Sequence, residues 1–226
     1  MIGLFDPTFW MLVGPAILLG VLAQIWVRSA YASARRVAAP LSGAAAARHI
    51  LDSAGLASVD IQQVPGYLSD HYDSRQKVLR LSPEVYQSRS LAAVGIAAHE
   101  AGHALQDARA YVPLAIRNAA VPAASFGSGA GIWMLILGLI FQLHFLLWAG
   151  IALFVCFVFF QLVNLPVEFN ASTRAKTQLA QLGIVDAEGM VYVDRVLRAA
   201  ALTYLAATLQ AILTLLYYLM LARGRD

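Results

Sequence analysis

Residues 118–167 read NAAVPAASFGSGAGIWMLILGLIFQLHFLLWAGIALFVCFVFFQLVNLPV, fifty residues without a Lys, Arg, Asp or Glu. One crossing of a bilayer core takes about 20 apolar residues, so this run is too long for one helix and right for two joined by a turn. The turn is expected at Gln142-Leu143-His144, the most polar point of its middle. Two more runs lack charge, the 21 residues Pro7 to Val27 and the 24 residues Ala199 to Ala222. At the helical rise each covers about 30 Å, the thickness of the hydrocarbon core. The reading is four transmembrane helices at about 7–27, 119–141, 145–166 and 199–221.

Composition agrees. Of 226 residues 60% are hydrophobic and 13% charged, with a mean hydropathy of +0.66. A soluble domain carries about twice that charge, and a disordered chain is polar throughout. The net charge of +3 fits basic loops on a membrane protein better than nucleic-acid binding, since no basic run carries interleaved aromatics. The single cysteine, Cys156, lies in an apolar run. It excludes an internal disulfide framework and a cysteine-based zinc site. Ala30-Tyr31-Ala32 offers a small-residue cleavage site, but 21 apolar residues exceed a signal core and no basic residue stands before them, so the first run is read as a span.

Basic residues set an expected orientation. Arg28, Arg35, Arg36 and Arg48 follow the first span, and Arg174, Lys176, Arg195 and Arg198 lie between the third and fourth. The positive-inside rule places both segments in the cytoplasm and the N-terminus outside. Arg223 and Arg225 then fall outside, so the opposite orientation stays open.

Residues 29–117 form the larger non-membrane region. Ala44 to Ala54 has helical periodicity ending at Gly55, a C-cap residue. SVDIQQV (58–64) and QKVLRLS (76–82) alternate as strands do, with turns at Gly66 and Asp70 to Ser74 between them. The two strands predict a hairpin beside a helix, and the strand 77–82 is a candidate edge for an extended peptide. Ser82 and Pro83 suit a helix start. Ser90 caps a further helix from Leu91 to about Ala110.

That last helix carries His99-Glu100-Ala101-Gly102-His103, an HExxH pattern. Residues i and i+4 share a helical face, so both imidazoles can reach one Zn²⁺. Zinc lowers the pKa of its bound water, and Glu100 beside it can take the proton as general base. The preceding LAAVGIAA (91–98) is almost wholly apolar. A buried pair of histidines with a carboxylate needs partners, and a metal supplies them.

A catalytic zinc needs a third protein ligand and an open position. Position 109 is arginine, so no HExxHxxGxxH pattern exists, and the other histidines are His49, His71 and His144. Glu168 follows the third span directly. His99 and His103 precede a pair of spans and Glu168 follows it, so an even number of crossings returns Glu168 to the same membrane surface. A carboxylate at that depth is functional by default. His71, Tyr72, Arg174 and Arg195 are candidates for stabilising an oxyanion.

HEAGHALQ (99–106), DHYDSRQKVLRLSPEVY (70–86) and LPVEFNAS (165–172) resemble the bacterial neutral zinc metallopeptidase family labelled YugP-like, over about residues 45–200. That family is similar in outline to HtpX-type heat-shock proteases and CAAX prenyl proteases, which carry HExxH and a later glutamate in an EFxAD-like motif. The resemblance implies a four-helix, mainly α, zincin-like membrane protein with a gluzincin-like ligand set. It assigns one Zn²⁺ to His99, His103 and Glu168, and catalysis to Glu100. Many members have an acidic residue where this chain has Asn170, and the protease relatives have one where it has Ser172. An Asp four residues after the ligand Glu would hydrogen-bond a metal-bound His, and Ser172 does so more weakly.

Sequence and resemblance together predict a single integral membrane domain over 1–226, with the third ligand on a loop at 167–198. They predict a zinc endopeptidase of the bacterial inner membrane, its active site on the cytoplasmic face. Its partners would be the bilayer and a peptide or membrane-protein substrate. The alternative is a non-catalytic or attenuated zinc-binding scaffold or chaperone. An intramembrane protease would need HExxH inside a span, yet Arg89 lies ten residues before His99 and no LDG-type motif is found. A transporter would need ionisable residues within the spans.

Overall fold

The computed structural model describes residues 6–223. Eight α-helices and three strands follow in the order α1 (Pro7–Arg35), α2 (Gly43–Ser53), β1 (Asp60–Gln63), β2 (His71–Asp73), β3 (Val78–Leu81), α3 (Pro83–Gln87), α4 (Leu91–Ala108), α5 (Val112–Phe126), α6 (Ile132–Ile140), α7 (His144–Gln181) and α8 (Ala187–Arg223). A π-helical turn, Gly127–Gly131, joins α5 to α6. Four stretches are long and apolar enough to cross a membrane: Pro7–Arg35, Val112–Ile140, His144–Gln181 and Ala187–Arg223. Met11, Trp133, Phe145 and Leu162 lie exposed on them, as surfaces that face lipid do.

The chain forms two compact units. One takes Met1–Ala23, Ala115–Pro166 and Leu202–Asp226. Within it the long uncharged run folds as expected: α6 ends, the chain turns through 141–143, and Gln142 takes a positive φ of 55°. A Cβ on Gly138 would stand 2.6 Å from the Leu147 backbone nitrogen. Without a side chain there, the two arms of the hairpin approach to backbone contact.

The other unit takes Gln24–Leu114 and Val167–Ala201. Its core gathers Ile50 and Leu51 of α2, Leu79 and Leu81 of β3, eight residues of α4 from Leu91 to Leu105, and Ala175 and Leu179 of α7. Ser42 accepts from the Ala45 amide and Ser90 from the Ala93 amide, each satisfying a free N–H at a helix start. Arg109 caps α4, and Ala110 with φ 48° ends it two residues before the sequence predicted.

Two expectations need correction. The predicted strands do not form a hairpin with each other. β1 lies parallel to β3, with Asp60 opposite Val78, while β3 pairs antiparallel with β2, His71 opposite Arg80. The hairpin is therefore β2–β3, and β2 falls in the stretch read as a turn. The reason is its shortness: three residues run straight into a turn in which Asp73 accepts from the Arg75 and Gln76 amides. Strand β3 is thus the central strand of the order β1-β3-β2 and has no free edge. Second, 167–198 is not a loop. Helix α7 runs through Pro166 to Gln181, a turn follows at 182–186, and α8 begins at Ala187.

Candidate metal centre

Helices α4 and α7 build the site. His99 and His103, one turn apart on α4, present their rings edge to face with centroids 4.9 Å apart. Glu168 comes from α7. Its Oε2 lies 3.2 Å from His99 Nε2 and 3.7 Å from His103 Nε2. One donor atom from each residue fits within 4.8 Å of the others, the arrangement that holds a metal ion. Glu168 is 4% exposed and His103 7%.

Gly102 sets the approach of the two helices. A Cβ there would lie 2.6 Å from the carbonyl oxygen of Ala171. Any side chain at this position would push α4 off α7 just where the ligands must meet.

The far side of each imidazole is held. His99 Nδ1 lies 3.1 Å from Ser172 Oγ, in the place the family resemblance assigned to a weak hydrogen-bond partner. His103 Nδ1 lies 3.0 Å from Gln106 Oε1. Gln106 is fully buried. Its Nε2 donates to the Val167 carbonyl at 2.7 Å and to Asn170 Oδ1 at 3.1 Å. Asn170 also accepts from Arg174 Nε at 2.7 Å. A metal-bound histidine characteristically spends its second nitrogen in this way, which orients the ring and fixes its tautomer. Two imidazoles and a carboxylate, buried together with their outer nitrogens engaged, suit Zn²⁺.

Electrostatics point the same way. Burial works against a charge on His103, but the hydrogen bond to Glu168 and the nearby Glu100 charge outweigh it and hold the ring above its ordinary value. The pocket thus favours positive charge at the point where the three side chains converge. Glu100 is only half-buried and makes no hydrogen bond to another described residue.

The oxyanion candidates have the following neighbours. His71 lies exposed on β2 with Nδ1 2.8 Å from the Ser69 carbonyl. Tyr72 donates to Asp107 at 2.8 Å. Arg195 lies over the Tyr192 ring, and Arg174 over Tyr111. Gln106 is the site residue that sequence reading missed. It stands three residues after His103 on the same helix, the spacing that lets side chains touch.

Fold and site together define a mainly helical membrane protein with two histidines and a glutamate positioned to bind one metal ion. Residues 9–223 match the model of the family described as "Putative neutral zinc metallopeptidase", and the chain belongs to that family. It is 42% identical over 221 residues to "Putative membrane protease YugP" of Bacillus subtilis (strain 168), covering 96% of this chain and 98% of the relative. No solved structure matches it.

Proposed function

We propose that this protein is a membrane zinc endopeptidase in which His99, His103 and Glu168 hold the ion and Glu100 is the general base. One observation carries the reading: the three donor atoms converge within 4.8 Å, and the residue after the first histidine, Glu100, is a half-buried carboxylate that makes no hydrogen bond among the described residues. Zinc, when bound, supplies a Lewis acid that polarises a peptide carbonyl and acidifies water. Glu100 takes the proton of the attacking water and delivers it to the departing amine. Ser172 and Gln106 keep the imidazoles aimed. A purely structural zinc would need a fourth protein ligand, and among the described residues the cluster contains three.

The substrate class is peptide bonds of membrane or membrane-adjacent proteins. The four-helix chain acts as one peptidase domain in the bacterial inner membrane, with the site on the cytoplasmic face. This side follows from the arginines and lysine flanking the spans. The neutral residues at 170 and 172 support a slower enzyme than relatives with a carboxylate there.

The test compares wild type with Glu100→Gln for bound zinc and for proteolysis in native membranes. The variant should keep its zinc and accumulate uncleaved substrate, with cleavage slowed about 10²-fold or more. Equal cleavage by both proteins, with zinc retained, would sink the catalytic role.

A further inference from the structure

Where the end of α4 meets α7 there is a shallow cavity of about 250 Å³ lined by Leu105, Arg109, Thr173, Arg174, Thr177 and Gln178. Two guanidiniums line it and no carboxylate does. Among the described residues neither arginine pairs with an Asp or Glu. Arg174 is half-buried and held in place, its Nε on Asn170 and its Cζ 5.8 Å from the Tyr111 ring centroid. Its two Nη groups make no hydrogen bond among the described residues. Thr173 and Thr177 donate back to the Phe169 and Thr173 carbonyls, so their hydroxyl hydrogens are spent on the helix. Gln178 Nε2 makes one long bond of 3.4 Å to Gln181, which leaves an N–H to offer.

The donors of this cavity are therefore two forked cations and one amide. Like charges sharing a cavity repel, and an anion between them relieves that cost. Guanidinium forks match oxygen anions in pairs of parallel hydrogen bonds. Two of them, arriving from different helices, offer more donors than one carboxylate can accept and a charge that a phosphate can meet. Chain position also counts. Arg109 precedes α5 by three residues, and Arg174 follows the uncharged run ending at Val167 by seven. Basic residues at span margins lie near the level of lipid phosphates.

We propose that the Arg109–Arg174 cavity binds a phosphate group, separate from the metal centre and joined to it through Asn170 and Gln106. The inference does not rest on hydrolysis, because binding is read without turnover. Full-length, zinc-loaded protein in neutral detergent is titrated with inorganic phosphate against chloride at equal ionic strength, with melting temperature as readout. In parallel, nanodiscs of phosphatidylcholine with or without phosphatidylglycerol are compared for lipid retained after extraction, by native mass spectrometry. Wild type should respond to phosphate above chloride, to phosphatidylglycerol above phosphatidylcholine, or to both. A response to the soluble ion alone identifies free phosphate as the ligand, and one to the lipid alone a headgroup. Arg109→Gln and Arg174→Lys should weaken the response at least about tenfold, whereas phosphate coordinated at the histidines would be untouched by Arg109→Gln. A wild type indifferent to both probes overturns the proposal without any variant having to fold, and so does an undiminished response in both variants.

Discussion

The Val167 carbonyl can only accept a hydrogen bond, and this settles how the Gln106 amide is turned. Its nitrogen faces Val167 and its oxygen faces His103. His103 must then carry a proton on Nδ1, which leaves Nε2 aimed at the point shared with Glu168. One buried amide thus selects the tautomer that a metal requires. Gln106→Leu removes the acceptor, and zinc affinity should fall about 10- to 100-fold in a competition with a calibrated chelator. Undiminished affinity would reduce Gln106 to a space-filling role. At this scale much was readable in advance. HExxH spacing and Glu168 follow from helical periodicity and chain order, and the Ser172 contact from what the family resemblance implies. Gln106 did not, because a polar residue on an apolar helix has no partner in sequence until the facing backbone is known.

Among the elements, α7 matters most. Its first part is apolar enough to lie in lipid, and without a break it carries Glu168 and Ser172 onto the face of α4. Sequence reading ended this span at about residue 166, where the uncharged run stops, but the helix continues through Pro166 to Gln181. The α4–α7 contact depends on the bare backbone at Gly102. Gly102→Ala should lower zinc affinity and stability together, by about 1–3 kcal/mol for overpacking. Thermal melts with and without added zinc would check this, and a normal melt with normal metal content would refute it. The β2–β3 hairpin supplies a pH-dependent element outside the spans. The Gln76 amide, then the Arg80 guanidinium at 2.7 Å, hold the Asp73 carboxyl below its ordinary value. Its folded value is the depressed one, so its stabilisation is complete above about pH 4 and is lost as pH falls below that. Amide exchange of residues 71–81 should accelerate in that acid range, and Asp73→Asn should abolish the dependence.

For the molecule as a whole, the metal centre acts as a long-range tie. His99 and Glu168 are 69 residues apart in sequence, with the entire uncharged hairpin between them. An ion that binds only the assembled cluster stabilises the fold by mass action, about 4 kcal/mol at a thousandfold excess over Kd. Chelation should therefore lower the melting temperature of wild type and leave Glu168→Ala unmoved. A chelator shift of equal size in both proteins would show that the ion binds elsewhere.

The uncharged runs by themselves pointed to four helices long and apolar enough to cross a membrane, because a continuous apolar run of about 20 or more residues matches a helical crossing, in which every backbone polar group is satisfied within the segment. Helical periodicity likewise put both imidazoles on one face, and the count of crossings put Glu168 on their side. Only the tertiary structure decided what lies between those facts. Strand pairing in so short a sheet is set by neighbours rather than by alternation, so β2 and the parallel place of β1 were hidden. The Gly102 contact and the Gln106 bridge were hidden for the same reason. Each is a relation between backbone surfaces from distant parts of the chain, which a one-dimensional pattern does not contain.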